Sequence, residues 1–376
     1  MKKPKVLIDV YYLYVAQTGI KTYITSLCEE IASREETGFE YIISPDFQKV
    51  KESDFFRGKT AKWKNIYFQL LYFLRKQLVL PFLSFYHKAD LVFSPDILSP
   101  LWSRGKKVSV IHDTFFWDNP EHYQSLWLKY YLYFLKNGLK RNGEIITITH
   151  YSKERLREIK DFRHIPKRVV YPATGNTLRN ENLKNIQPLD FPFFLHVGVM
   201  EKRKNLGMLI EAFAELVQQN DFKEFKLVLV GQKGPRETLD DFDHLQSLVQ
   251  KLNLKEKVVF PGYVSQEELA AYFQHAVAYV FPSLNEGFGL PILEAFSYGL
   301  PVIISRQGAL MEVADEAALV LEENTKDDLK MKMELLIKNE SLRKELAEKG
   351  RNRLQEFSTE KFFLSLEDTF KQILNG

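Results

Sequence analysis

Tyr279-Val280-Phe281-Pro282-Ser283-Leu284-Asn285-Glu286-Gly287-Phe288-Gly289-Leu290-Pro291-Ile292-Leu293-Glu294 runs from an apolar strand signal through a glycine-bearing loop into a helix start. Pro291 suits the first helical position, where its missing N–H would be unpaired anyway, and Gly299, before Leu300-Pro301, ends the helix about two turns on. Glu286 is therefore expected in the loop and Glu294 one turn inside the helix. Gly287 and Gly289 let backbone approach a ligand, and the free N–H groups and positive dipole end of the helix at Leu290 favour a phosphate. One carboxylate can accept from sugar hydroxyls and the other from a ribose, so the stretch suits a sugar nucleotide.

Outward from this segment the chain alternates short apolar runs with helical patterns, the mark of a parallel α/β layout. In the first half the expected strands are Val6 to Val10, Leu91 to Phe93, Val108 to Ile111 and Ile145 to Ile148, with helices near Ile20 to Ser33, Tyr123 to Arg141 and Ser152 to Ile159. The turn-forming stretch between Tyr171 and Phe191 reads as a linker. A second series follows, with strands Phe193 to Val197, Leu227 to Val230, Val258 to Phe260, Ala278 to Phe281 and Val302 to Ile304, and helices after Asn205, Thr238, Ser265 and Leu290. Two helical stretches, about Asn339 to Gln355 and Thr359 to Leu374, close the chain. The expected division is 1–180, 181–355 and a final helix over 356–376, with ligands gathered in a cleft beyond the carboxyl ends of the strands.

Composition bounds the function. The chain has 376 residues, 45% of them hydrophobic and 27% charged, which describes a folded protein of two ordinary domains. A net charge of +3 is small for this length and makes no case for nucleic acid. Cys28, the only cysteine, excludes an internal disulfide and suits a reducing cytoplasm. The opening Met1-Lys2-Lys3 and Val6-Leu7-Ile8 imitate a signal peptide, but Asp9 interrupts the apolar run, and a buried first strand is the better reading. Tyr67 to Tyr86 is rich in aromatics and leucine, yet Arg75-Lys76-Gln77 lies at its centre and Pro81 breaks it, so it is no membrane span. Two readings stand for it: a helix packed within the first domain, or a basic amphipathic surface on the membrane interface.

Several motifs mark strand ends. Arg203-Lys204 precedes Asn205, read as an N-cap, and two cations at the positive end of a helix are misplaced unless an anion joins them. Gly19, in Thr18-Gly19-Ile20-Lys21, is read as a loop glycine before the first helix, and His112-Asp113 follows the strand ending at Ile111. Gly231-Gln232-Lys233-Gly234 and Gly262-Tyr263-Val264 are loops after strands. Asp241-Phe242-Asp243 mimics a metal-binding pair, but acids at a helix start favour the dipole, and no carboxylate and histidine spacing suggests a metal.

The stretch from Tyr279 to Glu294, with Pro301-Val302-Ile303-Ile304-Ser305 after it, resembles the signature of the family-four retaining glycosyltransferases, two glutamates flanking seven residues. Val-Gly-Val-Met-Glu-Lys-Arg-Lys-Asn resembles that family's diphosphate clamp, although Val199 stands where many members have arginine; Arg203 is read as supplying that charge. The run from His112 to Glu121 resembles its first-domain histidine motif. The resemblance implies a GT-B fold, two Rossmann-like domains facing across a cleft with the C-terminal helix crossing back to the first. It implies Glu286 and His112 as catalytic, with Asp113 supporting His112. Gly19, Arg203, Lys204, Gly231, Tyr263, Val264, Gly287, Phe288, Gly289, Leu290 and Glu294 are implied on the donor, with Tyr263 and Val264 nearest the base. No cofactor or metal is expected. Bacterial O-antigen and capsule mannosyltransferases are the most similar members, which suggests GDP-mannose as donor, a glycan or lipid-linked oligosaccharide as acceptor, and a cytoplasmic enzyme peripheral on the inner face of the membrane. Two alternatives within the architecture are a sugar-nucleotide epimerase and a non-catalytic partner in a polysaccharide complex. A nicotinamide dehydrogenase is disfavoured, because Asp9-Val10-Tyr11-Tyr12 stands where G-x-G-x-x-G is needed.

Overall fold

A computed structural model describes residues 2–16, 18–56, 62–122, 125–174, 190–234 and 238–376. Most of the expected linker, 175–189, lies outside the described residues. The chain divides into two compact units, Met1–Asn176 with Phe357–Gly376, and Thr177–Glu356.

In the first unit β1 (Lys5–Asp9), β2 (Glu40–Ser44), β3 (Leu91–Ser94), β4 (Lys106–Ile111), β5 (Gly143–Thr147) and β6 (Lys167–Val169) form a parallel sheet in the order β2-β1-β3-β4-β5-β6. The chain reverses direction across the sheet between β1 and β3, the usual crevice of a doubly wound fold. Helix Thr18–Ser33 buries Cys28, whose thiol is pushed up to about 12 by burial and the nearby Glu29. Gly19 lies in the first turn of that helix rather than in a loop before it, because the helix begins two residues earlier than the apolar pattern indicates. The C-terminal helix Thr359–Asn375 packs in the first unit: Glu367 accepts from the Gly38 N–H at 2.7 Å and the Tyr41 hydroxyl at 3.0 Å, and Phe362 meets the Tyr23 ring at 4.8 Å.

The stretch from Lys62 to Tyr86 is helical throughout, as Lys62–Leu74, a π turn Arg75–Val79 and Leu80–Tyr86. Its polarity is the reverse of a basic amphipathic surface. The wide turn carries Arg75, Lys76 and Gln77 inward together, and all three are buried. Lys76 Nζ meets Asp9 Oδ2 at 2.8 Å and Asp96 Oδ1 at 2.7 Å, while Arg75 Nε meets Asp9 Oδ1 at 2.9 Å. Tyr72 donates to the other oxygen of Asp96. The helix packs within the first unit through its charges and leaves a largely apolar face outside.

In the second unit β7 (Phe193–Val197), β8 (Lys226–Val230), β9 (Val258–Gly262), β10 (Ala278–Phe281), β11 (Val302–Ile304) and β12 (Ala318–Val320) form a second parallel sheet, ordered β12-β11-β10-β7-β8-β9. Its four central strands, β7, β8, β10 and β11, are largely buried, as a sheet covered on both faces requires, while the edge strands β9 and β12 are mostly half-buried. Here the reversal falls between β7 and β10, so the segments that leave these two strands share the crevice. Those segments carry Arg203-Lys204 and Glu286.

Candidate active site

Glu286 leaves β10 and is turned back into the second unit by the loop after β11. Gly308 holds a left-handed φ of +56°, and a Cβ there would sit 2.7 Å from both the N and the O of Glu286. Gly289, φ +99°, starts helix Leu290–Ser297, placing Pro291 one position later than its first-residue fit indicates. Gly299, φ +67°, follows the end of that helix.

The Glu286 carboxylate is buried and meets two cations on one oxygen: Lys204 Nζ lies 2.7 Å and Arg203 Nη1 2.9 Å from Oε1. Burial alone would raise its pKa, but Lys204 and Arg203 outweigh burial and hold it below the ordinary carboxylate value. Arg203 Nε is also held by Glu201 at 2.7 Å. The four charges cancel, Arg203 and Lys204 against Glu201 and Glu286, and the anion that the two misplaced cations call for is a carboxylate of the chain itself. Asn205 does not cap the following helix Leu206–Leu216 with its side chain. It takes a left-handed conformation, φ 55° and ψ 37°, that turns the chain out of the 3-10 turn Lys202–Lys204.

Glu294 is half-buried, and desolvation pushes its pKa up to about 7. Its carboxylate has no hydrogen-bond or ion-pair partner among the described residues. Burial, then Glu294, then Glu286 push the Tyr279 phenol well above its usual value, so both carboxylates act on the ring whose hydroxyl donates to Val197 O at 3.2 Å. Phe288 is buried in the loop between them.

The ends of β7, β8 and β9 meet beside this cluster. Gly231 cannot carry a side chain, because a Cβ there would sit 1.8 Å from Gly198 O; its requirement for glycine is set by that backbone crossing. Its N–H donates to Gly262 O at 3.0 Å, and Tyr263 projects next to Gly262 with 78% of its surface exposed, followed by half-buried Val264. Asp243 pairs with Lys233 at 2.6 Å and Asp241 with His244 at 3.1 Å. Among the described residues no group of three or more His, Cys, Asp or Glu is placed to hold a metal ion.

His196, which the sequence reading passed over, lies one residue before the end of β7. Its Nδ1 donates to Val280 O at 2.9 Å, which leaves Nε2 a lone-pair acceptor, buried and without a hydrogen-bond partner among the described residues. Burial and the charge of Lys204 push its pKa down to about 3. A Cβ on Gly198 would lie 3.4 Å from that Nε2 and 4.0 Å from Lys204 Nζ, so the neutral imidazole borders the cation cluster. A single histidine inside Phe-Phe-Leu-His-Val was the available signal.

In the first unit His112 directly follows β4. Its Nε2 donates to Pro95 O at 2.8 Å, and burial pulls its pKa down to about 4, so Nδ1 is an acceptor and the ring is uncharged at neutral pH. Asp113 accepts from the Phe115 N–H at 3.0 Å and so organises the short helix Phe115–Asp118. The hydrogen bond that orients His112 is to the Pro95 carbonyl.

Two doubly wound parallel sheets of six strands make up the GT-B fold. Residues 179–353 match the family described as Glycosyl transferases group 1. The chain is 28% identical over 264 residues to O-antigen chain mannosyltransferase B of Escherichia coli, covering 68% of this chain and 67% of that one. It is 31% identical over 243 residues to an uncharacterised glycosyltransferase of Methanocaldococcus jannaschii, covering 64% of this chain and, short of two thirds, 63% of that one. Anabaena HepE in complex with UDP and glucose superposes with a TM-score of 0.65 at 15% identity, over 98% of this chain and 99% of that one. The resemblance read from the Glu286 to Glu294 segment is borne out.

Proposed function

We propose that the chain transfers a hexose, mannose from GDP-mannose, with retention, to a glycan or lipid-linked oligosaccharide acceptor held by the first unit, as a cytoplasmic enzyme of surface polysaccharide synthesis. The observation that carries this is Glu286 sharing one oxygen with Lys204 and Arg203 beside the Gly289-led helix start. The mannosyltransferase relative and the UDP-bound neighbour support the donor class. In this reading Lys204, Arg203 and the N–H groups at Leu290 take up the diphosphate, and Glu286 Oε2 accepts from a sugar hydroxyl. The bond from the anomeric carbon to the diphosphate breaks while the acceptor oxygen bonds that carbon from the same face. The acceptor proton passes to the departing diphosphate oxygen, so no protein base is needed. His112, through neutral Nδ1, positions a hydroxyl rather than a phosphate, and Gly19, Gly231, Tyr263 and Val264 border the donor. The charge on the diphosphate is met without a metal.

A thermal-shift series over GDP-, UDP- and TDP-sugars, followed by transfer assays, tests the proposal. GDP-mannose is expected to give the largest stabilisation, with product formed only when acceptor is added; stabilisation by none of them, or an epimerised donor without acceptor, would overturn it.

Glu294 adds a pH signature. Its raised value means that the unfolded chain ionises first, so its contribution to stability falls as pH rises from the ordinary carboxylate range to about 7. Ribose hydroxyls donating to it favour the ionised form, so affinity for a sugar nucleotide is expected to rise several-fold between about pH 6 and 8. Glu294→Gln should flatten the profile. Titration calorimetry across that range checks it, and a flat wild-type profile would remove Glu294 from the ribose.

A further inference from the structure

We infer that the first unit carries a docking surface for an anionic lipid bilayer, formed by the outer face of the Lys62–Tyr86 helical stretch, the Trp102 loop and helix Ser125–Leu139. With its charges turned in on Asp9 and Asp96, the helical stretch shows Trp63, Ile66, Leu70, Leu78, Phe82 and Tyr86 to solvent, each more than half exposed. At 1.5 Å per residue this stripe is roughly 37 Å long. Ring contacts make it continuous with its neighbours: Phe85 meets Trp102 at 6.0 Å, and Phe73 meets Phe134 at 5.0 Å and Tyr130 at 5.8 Å. An apolar face of this extent marks an interaction site.

Charge decides the occupant. The sequence contains no Asp or Glu from Phe55 to Ala89, from Ile97 to Ile111, or from His122 to Gly143, the three stretches that supply the face. Cations border it: Lys88, Arg104, Lys129 and Lys140 are exposed, and Lys64 lies over the Phe55 ring at 4.3 Å. A second copy of the chain would set cations against cations. Anionic headgroups complement them, and Trp, Tyr and Phe are the side chains that settle at the bilayer interface. No helix among the described residues is long and apolar enough to cross a membrane, so the face lies on the bilayer. The same helix props the segment after β1, Phe68 stacking on Tyr11 at 5.7 Å and Tyr72 meeting Tyr12 at 5.8 Å, which ties the lipid-facing surface to the carboxyl edge of the first sheet. This deepens the proposed lipid-linked acceptor and depends on that reading for its purpose, not for its binding.

Vesicle flotation of the full chain tests it. Wild type is expected to float with phosphatidylglycerol–phosphatidylethanolamine vesicles and to stay down with phosphatidylcholine, and brominated phosphatidylglycerol should quench tryptophan emission, an effect lost in Trp63→Phe/Trp102→Phe. Leu70→Glu/Leu78→Glu/Phe82→Glu should lower partitioning roughly 100-fold or more while Met331→Glu floats like wild type. No flotation of wild type, flotation of the triple variant, or a wild-type dimer that the triple variant converts to monomer would each overturn the inference. The two readings fail separately. Flotation without stabilisation by any sugar nucleotide sinks the transferase reading and keeps the surface; donor stabilisation and transfer to a soluble acceptor without flotation or quenching does the reverse.

Discussion

Glu286→Ala is expected to lower transfer a hundredfold or more while a nucleoside diphosphate binds at least as tightly as to wild type. On the proposed function, Glu286 grips a sugar hydroxyl near the reacting carbon, and one such contact in the transition state contributes on the order of 3 kcal/mol. Its second effect runs the other way. The carboxylate lies 2.7 Å from Lys204 and 2.9 Å from Arg203, and it competes with a diphosphate for both. Removing it takes the four-charge cluster from zero to +1, two cations against Glu201 alone. A cation left without its buried partner also destabilises the free chain by about 3–5 kcal/mol, and an anionic ligand restores part of that. The diphosphate-induced rise in melting temperature should therefore be larger in the variant than in wild type. Thermal shift and single-turnover transfer read the two effects apart. Equal loss of diphosphate binding and transfer would mean that Glu286 serves only to hold the cations in place.

The legible parts of this chain are those whose signal is local. Buried strands such as Phe193–Val197 and Ala278–Phe281 announce themselves as apolar runs, and the Glu286 to Glu294 segment holds its strand, glycine loop and helix within a short reach. Three edge strands escaped the reading, Lys167–Val169 and Ala318–Val320 because each has only three residues, and Glu40–Ser44 because its apolar run is short and flanked by polar residues. Interactions across long sequence separations were the other loss. Lys204 and Glu286 are 82 residues apart, so two cations that read as waiting for a ligand are satisfied internally. Arg75 and Asp9 are 66 apart, and nothing in the local pattern tells that a π turn swings the charges inward. Of the two readings open for Tyr67 to Tyr86, the helix packed within the first unit agrees with the buried Arg75, Lys76 and Gln77, and the basic amphipathic surface does not.

Lys76→Met carries a large expected effect on stability. The ammonium bridges Asp9 and Asp96, at the ends of β1 and just beyond β3, and so fills the crevice where the first sheet reverses. Burial works against its charge, but Asp9 and Asp96 outweigh burial and hold its pKa above the ordinary lysine value. Methionine nearly preserves the volume but leaves Asp96 without a cation and Asp9 with Arg75 alone. Breaking a buried pair this way costs about 3–5 kcal/mol, which for a unit of this size is a fall in melting temperature of roughly 10 °C. The pH dependence has a definite sign. In wild type, burial alone would raise Asp9, but Lys76 and Arg75 hold it below the ordinary carboxylate value, so it adds stability above that value and loses it as pH falls through the folded one. Asp96 is raised, by burial first and with Asp9 adding to it, and loses stability as pH rises from the unfolded carboxylate value toward its own. Without Lys76 the Asp96 shift grows, so the deficit of the variant should widen as pH rises from the ordinary carboxylate range toward neutrality. Calorimetric melting of both proteins over that range measures it. A deficit that stays constant as pH rises would mean that Asp96 is neutral in the folded chain with or without the lysine, and that the crevice is held by packing around Tyr72 instead.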